Sequence, residues 1–564
     1  MADRPWLKAY SPGVPADIDA DRYTSLVALL ESGFERFAAQ PAFTNLGTTL
    51  TFGDVEQRSR EFAAYLQSVP GLSGGDRVAI MLPNTLQYVV ALFGVLRAGL
   101  VAVNVNPMYT VPELTHQLCD SGAKAIIVLE NFASTVATAL PATELTTVIV
   151  SRLGDHCPAP KRWLVNFVVK HVRKLVRPYQ LAAAVDYRGA LAKGARLQYK
   201  RPVIGGSDLA FLQYTGGTTG RAKGAMLTQR NMVANTLQAA AWARPFFTPD
   251  AGVIVTPLPL YHVYSLTANL FCFFELGGHD LLITDPRDLK SFIAELRNTR
   301  FAFMTGVNTL YNALLHAQDF GSIDFSPLRV SMGGGMAVQR EVATRWQAAT
   351  GVPIAQGYGL TEASPIVCGN PLDRKEFDGS VGLPFPSTEV AIFDEHGTVL
   401  GTDQVGEICV RGPQVMAGYW QRPDETALVM FGDGWLRTGD VGRIDAQGYV
   451  FIEDRIKDVI VVSGFKVYPS EVEDVAARQP GVLEAAAIGV PDAQSGEAVK
   501  LYVVRKDPSV TEAAVLAHAR ANLTGYKRPK HVEFLDELPK SNVGKVLRRA
   551  LKERADAQAS PTTK

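Results

Sequence analysis

Early in the chain, short apolar runs rich in β-branched residues alternate with helical patterns. This alternation restricts the fold more than any other feature. Residues 77–82 read as a strand, 86–99 as a helix and 100–105 as the next strand. A helix ending at Gly122 precedes a further strand at 123–129. Strand, helix and strand at this spacing imply parallel sheets with right-handed crossovers. From Gly379 the texture changes. Asp394-Glu-His-Gly397 and Asp445-Ala-Gln-Gly448 are turn signals between short alternating strands, hence a β-rich subdomain. Near Asp454 it changes again. Ser470-Glu-Val-Glu473 reads as a capping box opening a helix, and a small α/β unit follows to about Lys552. The last dozen residues are polar and are expected to fray. The expected class is α/β, with a large N-terminal part of parallel-sheet subdomains plus a β-rich subdomain, and a small α/β C-terminal part.

Composition narrows the function. At roughly 100–200 residues per domain, 564 residues imply two to four compact units. Lys+Arg and Asp+Glu are both 56, a balance that excludes a nucleic-acid coat protein and argues for no nucleic-acid partner. The five cysteines form no C-x-x-C pair and the nine histidines no H-E-x-x-H, so a protein-built metal site is not encoded. The N-terminus lacks an apolar signal region, so a cytoplasmic location is expected. Residues 251–274 carry no charge, but Pro257 and Pro259 would break a spanning helix. This stretch reads as a buried strand, a turn and a buried helix. Residues 163–179 interleave apolar side chains with Lys170, His171, Arg173, Lys174 and Arg177. Two readings stay open: a surface helix with a solvated basic face, or peripheral contact with anionic lipid on the inner face of the membrane.

The stretch most informative about chemistry is residues 212–228. Gly216, Gly217, Gly220 and Gly224 let backbone N–H groups approach an anion, Thr215, Thr218 and Thr219 add hydroxyl donors, and Lys223 adds a positive charge. Such a loop suits a polyphosphate. It is neither a Walker A loop nor a dinucleotide G-x-G-x-x-G. Thr228 heads a helix over 229–243.

Residues 214–224 resemble the phosphate-binding signature of the adenylate-forming superfamily, which comprises acyl-CoA synthetases, peptide-synthetase adenylation domains and luciferases. The superfamily's other motifs follow in order: Gly333-Gly-Gly-Met-Ala337, Tyr358-Gly-Leu-Thr-Glu362, Thr438-Gly-Asp440, Asp454-Arg455 and Pro539-Lys-Ser-Asn-Val-Gly-Lys545. Residues 433–457 are similar to the fatty acyl-CoA synthetase signature. Asn104-Val-Asn-Pro-Met-Tyr109, Asn166-Phe-Val-Val-Lys170, Gly306-Val-Asn-Thr-Leu310 and Leu523-Thr-Gly-Tyr-Lys527 resemble segments of bacterial long-chain fatty acid–CoA ligases, so the resemblance covers nearly the whole chain.

The resemblance implies ATP-dependent conversion of a long-chain fatty acid to acyl-CoA through an acyl-adenylate, releasing AMP and diphosphate and feeding β-oxidation. Mg²⁺ is the implied cofactor; ATP and coenzyme A are co-substrates. A carboxylate oxygen is a poor leaving group, and adenylation replaces it with AMP. The charge that develops needs a lysine, a metal and many N–H donors.

Roles follow residue by residue. Tyr214, Thr215, Gly216, Gly217, Thr218, Thr219 and Gly220 would form the nucleotide loop, with Lys223 on the β- and γ-phosphates. Glu362 would hold Mg²⁺ and Thr361 would touch the α-phosphate. Tyr358 would stack on adenine beside Gly334, Gly335 and Gly357. Asp440 would accept both ribose hydroxyls, supported by Arg455. Lys545 would bridge carboxylate and α-phosphate. Tyr261 and His262 would line the acyl pocket, and Gly464 would let the pantetheine arm pass. Lys457 would be the pivot of a hinge, 454–458, between an adenylation domain, 1–453, and a mobile C-terminal domain, 459–564. A homodimer stays open. Two departures stand out: Ala222 where the family often has proline, and Ile456 where fatty acyl relatives often have a basic residue.

A peptide-synthetase domain needs an acidic residue to grip the substrate ammonium, and residues 256–274 contain none. They offer Leu258, Leu260, Tyr261, Val263, Tyr264 and Leu266 instead, which suit an apolar acid. The long-chain expectation comes from the resemblance alone. Rivals are a fatty acyl-AMP ligase that loads an acyl carrier protein, a non-catalytic acyl or nucleotide binder, and a luciferase-type oxygenase.

Overall fold

Four sheets carry the described residues of the computed structural model, which are 4–215, 222–248, 252–541, 544 and 546–559. The first runs Val185–Asp186, Thr147–Ser151, Ala123–Leu129, Arg77–Met81, Val101–Asn104, Leu209–Tyr214, Gly224–Thr228. All neighbours in it are parallel except the last pair. The second has nine strands; its parallel centre runs Ile354–Gly359, Val330–Gly333, Phe301–Gly306, Val253–Thr256, His279–Leu282, Pro41–Asn45. A five-stranded antiparallel sheet contains Trp435–Ile444 and Val450–Arg455, and a mixed five-stranded sheet forms the C-terminal unit. The parallel crossovers and the β-rich subdomain expected from the alternation and the turn signals are both present.

Two helices show why the large sheets lie back to back. All twelve residues of Leu86–Arg97 are buried, and it touches strands of both large sheets. Gln229–Ala243 has thirteen of fifteen residues buried. A helix with no polar face needs cover on every side. One apolar core accordingly runs from Leu30 and Phe93 through Phe211 and Leu227 to Ile392 and Ile408 in the β-rich part. Thr228 caps its helix with a reciprocal bond to Asn231, and the helix spans the residues its sequence implies. In the uncharged stretch, the strand Val253–Thr256 leads through a turn into a buried helix, which passes through a π-turn at Leu266–Phe271.

Two expectations are corrected. The helix Pro469–Ala477 is capped at Tyr468, not Ser470, because Pro469 takes the first helical position. Ser470 is drawn elsewhere: its N–H donates to Asp454 at 2.8 Å and its hydroxyl to the Glu453 carbonyl. The chain also stays helical beyond Lys552, over Arg548–Ala559. Leu551 and Ala555 are buried there, and Arg554 pairs with Glu533 at 2.7 Å.

Residues 163–179 leave five of their apolar side chains largely uncovered. The helix Ala159–Phe167 runs into a π-turn, Val168–Val172, and buries none of its residues. Trp163, Leu164, Phe167, Val172 and Leu175 are each more than half exposed.

Candidate active site

The two large sheets, the β-rich sheet and the C-terminal unit meet around a cleft of about 2040 Å³. Its floor is the C-terminal ends of parallel strands, the usual ligand position in open α/β sheets. Thr215 and Lys223 stand at the two ends of the phosphate loop, joined by Thr215 N–H to the Lys223 carbonyl at 3.0 Å. Gly216, Gly217, Thr218, Thr219 and Gly220 lie outside the described residues, as does Lys545.

Tyr214 lines the cleft, but its hydroxyl donates to Asp120 at 2.7 Å. Burial, then the Asp120 carboxylate, raises its pKa, so it stays a donor. Arg422 holds the other Asp120 oxygen at 2.6 Å. Lys223 pairs with Glu425, and its ammonium lies 5.2 Å from the centre of the Tyr419 ring.

Glu362 follows the strand Ile354–Gly359, in a 3₁₀ turn that also carries Thr361. One Glu362 oxygen accepts the Tyr419 hydroxyl at 2.7 Å. Burial and Glu362 raise the pKa of that phenol as well, so it donates at neutral pH. Asp440 and Arg455 face each other as register partners on adjacent strands. Arg455 Nε lies 3.1 Å from one Asp440 oxygen, and the Tyr358 hydroxyl donates to the other at 2.6 Å. Burial, then Asp440, keeps Tyr358 protonated. Gly439, at φ +70°, turns the chain so that Asp440 N–H reaches Thr438 Oγ1 at 3.1 Å. Each Asp440 oxygen keeps a lone pair for a further hydroxyl.

Gly334, Gly335 and Gly357 line the same cleft. A Cβ on Gly334 would lie 2.9 Å from the Tyr264 ring, and one on Gly335, at φ +76°, would lie 3.9 Å from Val307. Tyr261 and His262 form the apolar wall with Leu258 and Val263. Burial pushes the Tyr261 hydroxyl up to about 12. His262 Nδ1 accepts the Tyr264 N–H at 3.4 Å.

Lys457 is half-buried at the mouth, where burial lowers its pKa against the opposing pull of Asp458. Ser541 and Val546, either side of Lys545, line the cleft. Gly544 packs so tightly that a Cβ there would lie 2.5 Å from Thr309 Oγ1. The C-terminal unit therefore presents Ser541 and Val546 to the cleft. Gly464 does not line the cleft: it sits at φ +84° with open space beside it, in a turn whose Ser463 borders a separate cavity of about 470 Å³.

Sequence reasoning missed Asp120, His116, Tyr419 and Glu425. His116 Nε2 lies 3.1 Å from the Ala222 carbonyl, next to Lys223. None belongs to a motif quoted above; their partners are remote in sequence.

A family model described as AMP-binding enzyme matches residues 30–420, and one described as AMP-binding enzyme C-terminal domain matches residues 471–545. The chain belongs to the AMP-binding, adenylate-forming enzyme family. Long-chain-fatty-acid–CoA ligase from Yersinia pestis is 55% identical over 98% of both chains, and its namesake from Escherichia coli O157:H7 54% over 98% of both. Among solved structures, ATP-bound MatB from Rhodopseudomonas palustris superposes with a TM-score of 0.79 at 29% identity, covering 95% of this chain and 100% of that one.

The donor set fits Mg²⁺ as the family implies it. No cluster of three or more His, Cys, Asp or Glu among the described residues could cage a metal. Glu362, next to Thr361 in the 3₁₀ turn, offers a carboxylate oxygen to the cleft. Mg²⁺ binds through one or two carboxylates plus phosphate oxygens and keeps its waters, so one glutamate suffices.

Proposed function

We propose that this chain joins a long-chain fatty acid to coenzyme A in two steps, forming an acyl-adenylate with release of diphosphate, then acyl-CoA with release of AMP. The observation that carries this is the convergence, on one cleft, of Lys223, Thr361–Glu362, the Tyr358–Asp440–Arg455 set, Ser541 and Val546 beside the Leu258–Tyr264 wall. Asp440 and Arg455 orient the ribose, and the protonated Tyr358 packs on adenine. Thr215, Lys223 and the loop hydroxyls hold the β- and γ-phosphates, and Thr361 holds the α-phosphate. Lys545 draws the carboxylate to the α-phosphorus and stabilises charge as the P–O bond to diphosphate breaks. Glu362 would hold Mg²⁺, which when bound would neutralise phosphate charge. The segment 454–458, pivoting at Lys457, then exchanges the 541–546 loop for the Gly464 turn, which admits the thiol. Acyl-CoA and AMP formed from palmitate, Mg·ATP and coenzyme A test this reading. Turnover only with an acyl carrier protein in place of coenzyme A would overturn it.

We further infer contact with the inner face of a membrane through the helix Ala159–Phe167 and the turn after it. Exposed Trp163, Leu164 and Phe167 stand among Lys161, Arg162, Arg173 and Lys174, the composition of an interfacial anchor. No helix among the described residues is long and apolar enough to cross a bilayer.

A further inference from the structure

Two anions have a claim on Lys223. The reading above, on which this inference rests, gives its ammonium to the β- and γ-phosphates, yet Glu425 holds it in an ion pair. Glu425 belongs to the helix Pro423–Val429, and its other oxygen lies 4.0 Å from Arg422 Nε. The same segment supplies Tyr419, which lies under the Lys223 ammonium and donates to Glu362. The segment is fixed to the outgoing strand of the phosphate loop: Trp420 N–H reaches the Gly224 carbonyl at 2.8 Å, and Met226 N–H the Gly418 carbonyl at 2.9 Å. Glu425 is therefore held within reach of the lysine. The side chains of Lys223 and Glu425 are 28% and 32% exposed, so water screens the pair and a polyphosphate can displace the carboxylate.

We propose that Glu425 is a positioning residue for the nucleotide: it holds Lys223 toward the loop, yields it to the triphosphate, and reclaims it as diphosphate leaves. The carboxylate competes with the phosphates for one ammonium, so it weakens ATP and diphosphate binding together. Once displaced it remains close to bound phosphate, and like-charge repulsion favours departure of the diphosphate.

The test uses the full chain as wild type, E425Q and E425D. With Mg·ATP and palmitate, E425Q is expected to lower the KM for ATP and the inhibition constant for diphosphate by about two- to fivefold, the scale of an exposed ion pair. Its kcat stays level or falls, and E425D behaves as wild type. Direct binding of a fluorescent ATP analogue, which needs no turnover, should tighten by the same factor in E425Q. Unchanged KM and analogue affinity in E425Q would overturn the proposal, as would equal shifts in E425D. A wild type that binds the analogue but makes no acyl-CoA would refute the ligase reading instead, and the binding arm would still decide the role of Glu425.

Discussion

Replacing Arg548 by alanine should loosen the C-terminal unit where it meets the 454–458 segment. Arg548 Nη2 lies 2.8 Å from both Glu473 oxygens, and Nη1 lies 3.4 Å from Asp458 and 4.0 Å from Asp454. Glu473 also accepts the Ala487 N–H at 2.8 Å. Removing one partner of a fully buried pair costs about 3–5 kcal/mol. Here the two side chains keep 19% and 20% of their surface, and the Ala487 bond survives, so we expect about 2 kcal/mol at neutral pH.

The pH dependence has a definite sign. Burial raises the Glu473 carboxyl above its ordinary value, and Arg548 opposes that rise. A carboxyl raised on folding favours the fold below its unfolded pKa, about 4.3, and loses that contribution as pH rises through the folded value. Without Arg548 the folded value climbs further. The R548A deficit is then largest near pH 7 and shrinks as acid protonates Glu473. Hydrogen exchange of the amides in Pro469–Ala477, corrected for intrinsic rates and compared at pH 7 and pH 5, reads this locally. R548A/E473Q should recover part of the loss. Equal deficits at both pH values, or a double variant worse than R548A, would refute the reasoning.

Three further outcomes follow from the same geometry. Lys545→Ala should abolish acyl-adenylate formation yet spare thioester formation from supplied acyl-adenylate; equal loss of both half-reactions in rapid-quench assays would contradict the assigned timing. The Tyr264 hydroxyl is buried without a hydrogen-bond partner among the described residues, so Tyr264→Phe should stabilise the protein by about 1 kcal/mol, read as a higher melting temperature; a lower one would count against the packing described. The double reversal R173E/K174E should reduce co-sedimentation with anionic vesicles without altering activity on dispersed palmitate. Lys170 is left alone because it pairs with Glu130 at 2.9 Å, and unchanged sedimentation would remove the proposed membrane contact.

What the sequence made legible was local. The helix after Thr228 could be read because its cap and its first turn are neighbours in the chain. The strand Ala123–Leu129 could be read because its β-branched run is bounded by Gly122. The cleft's motif residues were recognisable one by one, but their pairing was not. Asp440 and Arg455 meet only through the register of two strands, and Asp120 meets Arg422 across 302 positions. Ser470 misled for the same reason: Ser-x-x-Glu is a local pattern, whereas Asp454, Arg548 and Ala487 claim its two polar residues from elsewhere. The exposed apolar face of residues 159–175 was likewise hidden, since an amphipathic pattern does not say whether the body covers it.

The central claim is that this cleft makes an acyl-adenylate before any thiol is engaged. Purified protein given Mg·ATP, palmitate and labelled diphosphate, with coenzyme A omitted, measures that step alone. The account predicts palmitate-dependent appearance of label in ATP. Label that enters ATP only when coenzyme A is added, or never, would contradict it.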